Sequence, residues 1–383
     1  MDINELIMSI KQNSVKLTEI LADSYCIVNG SVIPLEELQN MGCNEFGLRA
    51  KINMPIKLYK YFPNITEEDN GKRVNYSIQA LENNTVFMQA PSEFDDVYDS
   101  DINLDFNEYE RLRLSEYCNR CQINVAETNS TKELGDAFVK ALWESFGSTK
   151  DFHAAFKKTP SSEIEKLSNE EFILKLHLEL NKGTEFGEAV TKIVGEEFGE
   201  YSLKIKNTFR TCCFTTTPYS QLMWGGSYAN CHKGFCIEYS VLPNDEKYQE
   251  LFLNLFPMIY CKRRPDMTNR LVRLQDTMIT EEGLWDIYFH GALRKSIDWA
   301  FQNEWRLLLP MRFQNTSEYN LEFYPITKVF LGNRMSIEER KKIIDICNKR
   351  NIPYIGVTRK PDIFEMQDCT IKCEDCINFS GKQ

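Results

Sequence analysis

The pattern of hydrophobic and polar positions along this chain switches between two periods. Stretches typical of β-strands occur at 56–62, 85–90, 211–217, 234–241, 258–262, 326–332 and 353–357. Apolar residues spaced three and four apart predict helices at 2–21, 76–81, 281–295 and 336–349, with three more between 131 and 210. Strands that flank a long helical block are typical of an α+β protein.

This change of period also predicts the domain organisation. We expect an N-terminal helical segment at 1–54 and an α+β core formed by 55–130 and 208–360. Residues 131–207 are predicted to be a helical insertion into that core, and residues 361–383 a Cys-containing tail. Ser336 and Glu339 have the spacing of a capping box, which predicts where the last helix begins.

One stretch, Trp299–Pro310, combines polar and large apolar residues in an unusual way. Gln302, Glu304 and Arg306 are two residues apart and would share one face of a strand. Two interpretations are open. The row is either the solvated face of an edge strand, or the polar part of a functional site between aromatic neighbours.

Charge and composition restrict the function classes. The chain has 383 residues, of which 42% are hydrophobic and 26% charged, as in ordinary globular proteins. Its net charge of −11 argues against non-specific coating of nucleic acid, which depends on neutralising phosphates. The densest basic group, interpreted as a solvated loop or a local groove, is Lys262, Arg263, Arg264, Arg270 and Arg273. With no membrane-length apolar run and no signal-peptide segment at 1–12, we expect a cytoplasmic protein.

Thirteen cysteines are present, and two groups have metal-ligand spacing. Cys118 and Cys121 form one C-x-x-C, and Cys369, Cys373 and Cys376 contain another. The two groups together could supply the four thiolates of a structural zinc site. The tail spacing also matches the cluster loop of radical enzymes that cleave S-adenosylmethionine. Unligated thiols are the favoured interpretation, and no residue is assigned to a metal.

Several common catalytic patterns are missing from the sequence: the Gly-rich phosphate loop, H-E-x-x-H, G-x-S-x-G and the kinase motifs. An acidic stretch, Asp95, Asp96, Asp99 and Asp101, could bind a hard cation. The same residues are good loop material, because aspartates cap their own turns, and the loop interpretation is favoured.

Polar groups also lie at the ends of predicted strands in four places: Tyr59 to Tyr61, Ser92 to Asp96, Phe214 to Thr217 with Met223, Trp224 and His232, and Gln302 to Glu304. Together they resemble a bacterial domain family of unknown function. Its pattern reads Y-K-Y, F-N-D-P-F-D, C-F-S, M-W-x-x-Y-A-x-x-H-x-G and W-x-Y-E-x-E-Y-R. The corresponding stretches here are Tyr59 to Tyr61, Phe94 to Asp99, Cys213 to Thr215, Met223 to Gly234 and Trp299 to Arg306. The chain departs from this pattern at Phe62, Asp95, Val97 and Gln302.

The same order of motifs resembles the ADP-ribosyltransferase superfamily. There, a basic or imidazole residue on the first strand, a Ser/Thr motif on a middle strand and Gln-x-Glu before a late strand form the site. Lys60, Thr215 to Thr217, and Gln302 with Glu304 follow that order. The resemblance implies a mixed or split β-sheet core and NAD as the cofactor. It further implies a nucleic acid or protein acceptor, a toxin or anti-phage role, and an inhibitor or antitoxin protein as partner.

The resemblance also implies roles for individual residues. Glu304 would be the catalytic carboxylate, and Gln302 would orient the acceptor. The residues expected to bind NAD are Tyr59, Lys60, Tyr61, Phe94, Asp96, Thr215, Trp224, Tyr228 and His232.

Two other functions stay open. One is a metal-dependent nuclease that uses Asp96, Asp99 and Glu304. The other is a non-enzymatic module that binds a nucleotide or a partner and in which Glu304 only holds Arg306.

Overall fold

The computed structural model of the chain describes residues 24–41, 43–103, 105–120, 122–126, 128–137, 206–207, 209–269, 288–310 and 319–369. The chain divides into two compact units. Unit 1 comprises 1–101, 205–264 and 288–383, and unit 2 comprises 102–204 and 265–287. The predicted four-part division of the chain stays a prediction.

All the strands that the structure describes belong to unit 1. They are β1 Tyr25–Val28, β2 Ser31–Pro34, β3 Lys57–Phe62, β4 Glu67–Asp69, β5 Lys72–Val74, β6 Thr85–Phe87, β7 Phe209–Thr215, β8 Phe235–Ser240, β9 Leu255–Pro257, β10 Ile259–Cys261, β11 Arg294–Ser296, β12 Glu304–Pro310, β13 Asn320–Glu322, β14 Ile326–Leu331, β15 Tyr354–Arg359 and β16 Met366–Asp368.

The α-helices that the structure describes from end to end are α1 Leu35–Asn40, α2 Cys43–Ile52, α3 Tyr76–Asn83, α4 Phe106–Arg120, α5 Gln221–Gly225, α6 Gln249–Leu253 and α7 Ile337–Lys349. Of these, α4 belongs to unit 2. None of the helices within the described ranges is long and apolar enough to cross a membrane.

An eight-stranded sheet forms the centre of unit 1, in the order β16-β15-β14-β8-β3-β7-β12-β9. β14 and β15 are parallel, and the other neighbours in this sheet are antiparallel. A second sheet has the order β11-β10-β1-β2. Strands and helices thus combine around a mixed sheet, and the prediction of an α+β fold is confirmed at this level.

The large sheet is weakly joined at one position. β3 and β7 pair at a single described register position, Tyr59 with Thr215. At the other end of β7, Gln89 takes over the pairing and exchanges two backbone hydrogen bonds with Thr211. Between these two points, the carbonyl of Cys213 accepts a hydrogen bond from the Lys60 ammonium at 3.3 Å. Between these points, a side chain rather than the β3 backbone provides the hydrogen-bond partner of β7.

Residues 299–310 differ from their predicted form. Residues Ile297–Gln302 form a 3₁₀-helix, and Asn303 ends it in a left-handed conformation with φ of 42°. This turn redirects the backbone, so Gln302 is not in a strand and β12 begins only at Glu304. β12 lies between β7 and β9, which makes it an interior strand. The edge-strand interpretation was wrong, and the polar row is buried.

Other predicted elements can be compared directly. The structure confirms the strands predicted at 56–62, 211–217, 234–241, 258–262, 326–332 and 353–357, and the helices predicted at 76–81 and 336–349. The strand predicted at 85–90 is shorter than expected and comprises Thr85–Phe87. Ser336 accepts from the Glu339 amide, as the capping box requires. The helix predicted at 281–295 does not reach its predicted end. Residues Tyr288–Ala292 form a π-helical turn, and β11 then pairs with β10.

The predicted helix at 2–21, most of the three between 131 and 210, and positions 281–287 lie outside the described residues. Within the described part of that block, residues 131–137 are helical.

Candidate functional site

A cavity of about 610 Å³ opens in unit 1 where β3 and β7 separate. Aromatic residues form much of its wall: Tyr59, Tyr61, Phe87, Phe94, Tyr228, Trp299 and Phe301. Charged residues from three parts of the chain, Asp99, Lys295 and Glu304, also line it. This combination of apolar walls and a few polar groups is typical of small-molecule sites.

Glu304 is the first residue of β12 and lies opposite Thr215 of β7. Its side chain is almost fully buried. Oε1 accepts a hydrogen bond from Arg306 Nε at 2.7 Å, and Oε2 accepts one from Lys295 Nζ at 3.2 Å. Burial raises the pKa of this carboxyl, but Arg306 and Lys295 outweigh burial and bring the pKa below its usual value. Glu304 is therefore ionised and held at both oxygens.

Arg306 is fully buried, with 0% exposure. It makes a two-point salt bridge to Asp99, with Nη1 to Oδ1 at 2.7 Å and Nη2 to Oδ2 at 2.8 Å. Nη1 also donates to the Ala292 carbonyl at 3.0 Å. Burial raises the pKa of Asp99, but Arg306 outweighs it and lowers the pKa to about 2. Arg306 thus connects the loop that carries Asp99 to the strand that carries Glu304.

Lys295 completes the buried charge cluster, which we define as Asp99, Lys295, Glu304 and Arg306. Its ammonium lies 3.2 Å from Asp99 Oδ2 and 3.2 Å from Glu304 Oε2. Burial lowers the pKa of Lys295, but the two carboxylates outweigh burial and raise it. Two anions and two cations give the cluster no net charge, and such pairing is what permits ions in a protein interior.

The sequence interpretation missed Lys295 and undervalued Asp99. Lys295 was expected at the end of a helix, and nothing in its neighbourhood indicates that β11 pairs with β10. A signal for Asp99 did exist, because it corresponds to the final Asp of the F-N-D-P-F-D pattern. Its partner, Arg306, corresponds to the last residue of W-x-Y-E-x-E-Y-R.

Nine of the eleven residues predicted for the site line the cavity: Tyr59, Lys60, Tyr61, Phe94, Asp96, Thr215, Tyr228, Gln302 and Glu304. Strand alternation puts Tyr59 and Tyr61 on the face of β3 that Thr215 shares, and Lys60 on the opposite face. The Lys60 ammonium accordingly lies 5.8 Å from the centroids of the Phe62 and Phe214 rings.

Trp224 and His232 do not line the cavity. Trp224 is fully buried, and its indole N–H donates to the Pro218 carbonyl at 2.7 Å. The His232 ring lies parallel to it, with 6.2 Å between centroids. Trp224 instead supports a cavity residue from behind, since Tyr61 packs edge-on against its ring at 5.2 Å. The predicted role of Trp224 in binding NAD does not fit this burial.

The M-W-x-x-Y-A-x-x-H-x-G stretch is a scaffold around an unusual turn. Asn230, Cys231 and His232 follow one another with φ of 47°, 51° and 69°, which brings His232 back over the preceding helix. Gly234 then approaches β3 so closely that a Cβ would lie 2.0 Å from the Phe62 carbonyl oxygen. The turn fixes the position of Tyr228, which reaches the cavity.

Four buried polar atoms along the cavity have no hydrogen-bond partner among the described residues: Asp96 Oδ2, Thr211 Oγ1, Thr215 Oγ1 and Gln302 Oε1. The amide nitrogen of Gln302 is engaged, because it donates to the Tyr228 hydroxyl. An unsatisfied buried polar group costs about 1–3 kcal/mol. Four such atoms in one cavity favour a polar ligand that supplies their partners.

Neither Cys118 nor Cys369, the described members of the two cysteine groups, lines this cavity. Within the described ranges, no group of three or more His, Cys, Asp or Glu side chains could hold a metal ion. Cys118 is buried in unit 2, where its thiol lies 3.6 Å from the Leu134 carbonyl. Cys121, Cys373 and Cys376 lie outside the described residues, so the zinc prediction is not tested. In the basic group, Arg264 pairs with Asp101 at 2.8 Å.

Comparison with known proteins identifies a family. Residues 223–307 match the family described as Protein of unknown function (DUF2971). No curated protein and no solved structure matches the chain. The matched range begins at Met223, at the start of the turn scaffold, and ends in β12 just after Arg306. The chain is therefore similar, over these residues, to a family of proteins whose function is unknown.

Proposed function

We propose that unit 1 is an NAD-dependent enzyme similar to ADP-ribosyltransferases, with Glu304 as the catalytic residue. One observation carries the proposal: an ionised and immobilised carboxylate lies in an aromatic-walled cavity. The order of motifs along the chain, Lys60, Thr215 and then Gln302 with Glu304, supports the same function.

The reaction places a specific demand on the protein. The bond between nicotinamide N1 and ribose C1′ breaks, nicotinamide leaves with the bonding electrons, and an acceptor nucleophile bonds to C1′ and releases its proton. Positive charge develops on the ribose in the transition state, as it does in glycoside hydrolysis. A carboxylate fixed beside that charge stabilises the transition state without having to reorganise.

Glu304 meets this demand in two respects. Its lowered pKa keeps it ionised, which suits an electrostatic stabiliser and excludes a general acid. Each carboxylate oxygen has about two acceptor positions. After the hydrogen bonds from Arg306 and Lys295, Glu304 can therefore still accept one from a ribose hydroxyl.

The cavity also suits a nucleotide. Its volume of about 610 Å³ is within the range of small-molecule sites, about 300–1,000 Å³. Tyr59, Tyr61 and Phe94 provide apolar walls, and Thr215 and Gln302 provide unpaired polar atoms. Removal of water by such walls strengthens the electrostatic effect of Glu304.

Charge balance disfavours the nuclease alternative. A divalent cation needs carboxylate oxygens that are not neutralised by the protein. Asp99 and Glu304 are both paired already, with Arg306 and Lys295. A metal ion at these carboxylates would have to displace two buried cations.

The test is label transfer from NAD that carries a radiolabel on the adenylate phosphate. The protein is incubated with this substrate and with RNA, single-stranded DNA and a protein extract, with and without a chelator. We expect transfer that a chelator does not affect and that Glu304→Gln abolishes. Glu322→Gln is the matched control, because this exposed glutamate on β13 pairs with Lys247, away from the cavity. Chelator-sensitive cleavage of nucleic acid would instead support the nuclease.

A second function, a non-enzymatic nucleotide-binding module, is favoured by one observation. Both oxygens of Glu304 are already engaged by cations of the protein, as in a structural ion pair. In that case NAD or a related nucleotide binds in the cavity, no label is transferred, and Glu304→Gln lowers the stability of the fold.

A further inference from the structure

A row of two exposed aromatic residues, Phe87 and Tyr319, begins at the cavity, where Phe87 forms part of the wall. The ring of Phe87 lies edge-on to Tyr319, with 6.0 Å between centroids and 73° between planes. On the other side, the guanidinium carbon of Arg210 lies 4.8 Å from the centroid of the Tyr319 ring. A cation over an aromatic ring is a favourable contact, so Arg210 holds this row in place.

The row is accessible from outside the fold. Phe87 is 51% exposed and Tyr319 is 43% exposed. Phe87 also lines the cavity, together with Gln89 and Thr211. Phe87 is exposed at the cavity, and Tyr319 next to it is partly exposed as well, so the pair presents aromatic surface that a planar group can cover.

A polar atom lies in the same cavity as Phe87. Thr211 is 1% exposed and lines the cavity, and its hydroxyl has no hydrogen-bond partner among the described residues. A ligand at this position therefore needs a planar ring and a hydrogen-bonding edge. Aliphatic and phenylalanine side chains lack the second property, whereas every nucleobase has both.

Strand register gives the separation between Thr211 and the carboxylate end of the cavity. Along β7, Thr215 lies opposite Glu304 and Thr211 lies opposite Leu308. Four residues of strand correspond to about 13 Å, at about 3.3 Å per residue. This span is longer than a nucleoside and is comparable to two linked nucleotides, so one nucleotide chain can occupy both ends.

We propose that Phe87 and Tyr319 form a stacking site for a nucleobase, with Thr211 as the hydrogen-bonding group at its edge. This inference rests on the proposed function, because it identifies the class of molecule that extends from the Glu304 end of the cavity. With a net charge of −11, the chain binds the base by stacking rather than by neutralising phosphates. The base comes either from a nucleic-acid acceptor or from the adenine half of the dinucleotide.

Binding measurements test the site and distinguish these two sources. One arm titrates the full chain with a fluorescein-labelled single-stranded oligonucleotide, with an abasic strand of equal length for comparison. The other arm titrates it with adenosine diphosphate. Phe87→Ala is the test variant, Phe87→Trp is the conservative rescue, and Phe364→Ala is the matched control. Phe364 is 93% exposed and does not line the cavity.

We expect Phe87→Ala to weaken one of the two ligands by about 5- to 150-fold, the effect of losing one base–aromatic stacking contact. Phe87→Trp should restore affinity, and Phe364→Ala should not change it. Loss confined to the oligonucleotide, with weak binding of the abasic strand, identifies a nucleic-acid base. Loss confined to adenosine diphosphate identifies the adenine half, which also supports the stacking site.

Unchanged affinity of Phe87→Ala for both ligands would overturn the proposal. It would also be overturned if the unchanged protein bound the abasic and the normal strand equally well and Phe87→Ala bound adenosine diphosphate as the unchanged protein does. The proposed function fails separately. Base binding that depends on Phe87 but occurs without label transfer would leave the stacking site standing and remove the enzymatic activity. If Phe87→Ala changes neither label transfer nor ligand binding, the enzymatic activity stands and the stacking site is removed.

Discussion

Arg306 and Asp99 form a two-point salt bridge in the interior of unit 1, with both nitrogen–oxygen distances below 3 Å and both side chains fully buried. The bridge joins a loop near residue 99 to a strand that begins at residue 304. Arg306 Nε also holds Glu304, so a single guanidinium binds both carboxylates. The position of the candidate catalytic group therefore depends on a buried ion cluster.

Replacing Arg306 should destabilise the fold strongly. Arg306→Met leaves Asp99 and Glu304 buried with Lys295 as their remaining cation, and the loss of one partner from a buried pair costs about 3–5 kcal/mol. Urea denaturation of the purified variant measures this change. Arg49→Met is the matched control, because Arg49 pairs with Glu37 and Glu45 at the surface, where a pair contributes about 0–1 kcal/mol. Equal effects of the two substitutions would contradict the buried-cluster account.

Stability should fall in acid because of Asp99. Its pKa is about 2 in the folded protein, below the ordinary value of 3.8 for an aspartate. A carboxyl with a depressed pKa stabilises the fold above its unfolded pKa, and this contribution is lost as pH falls from about 5 towards 2. The expected loss from this group is about 2 kcal/mol. The measurement is the free energy of unfolding in urea between pH 6 and pH 2.5.

Asp99→Asn is the control for this pH dependence. It should lower stability at neutral pH and flatten the part of the profile between pH 5 and 2.5, because the titrating group is gone. A profile that is as steep in Asp99→Asn as in the unchanged protein would show that other carboxyls cause the acid sensitivity.

Gln302 should separate stability from ligand binding. Its Oε1 is buried without a partner among the described residues, so Gln302→Leu removes an unsatisfied polar group. We expect the free energy of unfolding to stay within about 1 kcal/mol of the unchanged protein. Calorimetric affinity for NAD should fall by about 2- to 12-fold, the value of one neutral hydrogen bond. A stability loss without a change in affinity would assign Gln302 to the scaffold alone.

Gly234 should tolerate no side chain. Gly234→Ala brings a Cβ to 2.0 Å from the Phe62 carbonyl, so β3 or the turn must shift, and we expect a loss of about 2–4 kcal/mol. Gly225→Ala is the matched control in the same stretch, since nothing lies within 4 Å of its added Cβ. That substitution lies in helix α5 and should be neutral or stabilising by up to about 1 kcal/mol. The measurement is thermal unfolding of both variants. Similar melting temperatures for the two would contradict the close-approach explanation.

The pattern of residues within a short stretch of sequence predicted those strands and helix ends that depend on that stretch alone. Strand alternation at 56–62 and the capping box at Ser336 both correspond to observed elements, because their signals lie within a few residues. The helix predicted through Lys295 failed because pairing between β10 and β11 is a contact between distant segments. Lys295 and its role in the cluster were hidden for the same reason.

The candidate site was predicted in part. Glu304 and Tyr59 were selected from their order along the chain, and β7 brings both next to Thr215. Trp224 was selected as a large aromatic in a distinctive motif, but its indole fills the core behind Tyr61. A sequence pattern does not distinguish a residue that contacts a ligand from one that supports the contact residue.

The most direct test of the account compares label transfer from NAD in the unchanged protein, in Glu304→Gln and in Glu322→Gln, with melting temperatures measured alongside. The account predicts transfer by the unchanged protein and by Glu322→Gln, and none by Glu304→Gln, when all three are assayed below the melting temperature of the least stable one. Transfer that persists in Glu304→Gln would contradict it, and so would the absence of transfer by the unchanged protein to RNA, DNA and protein.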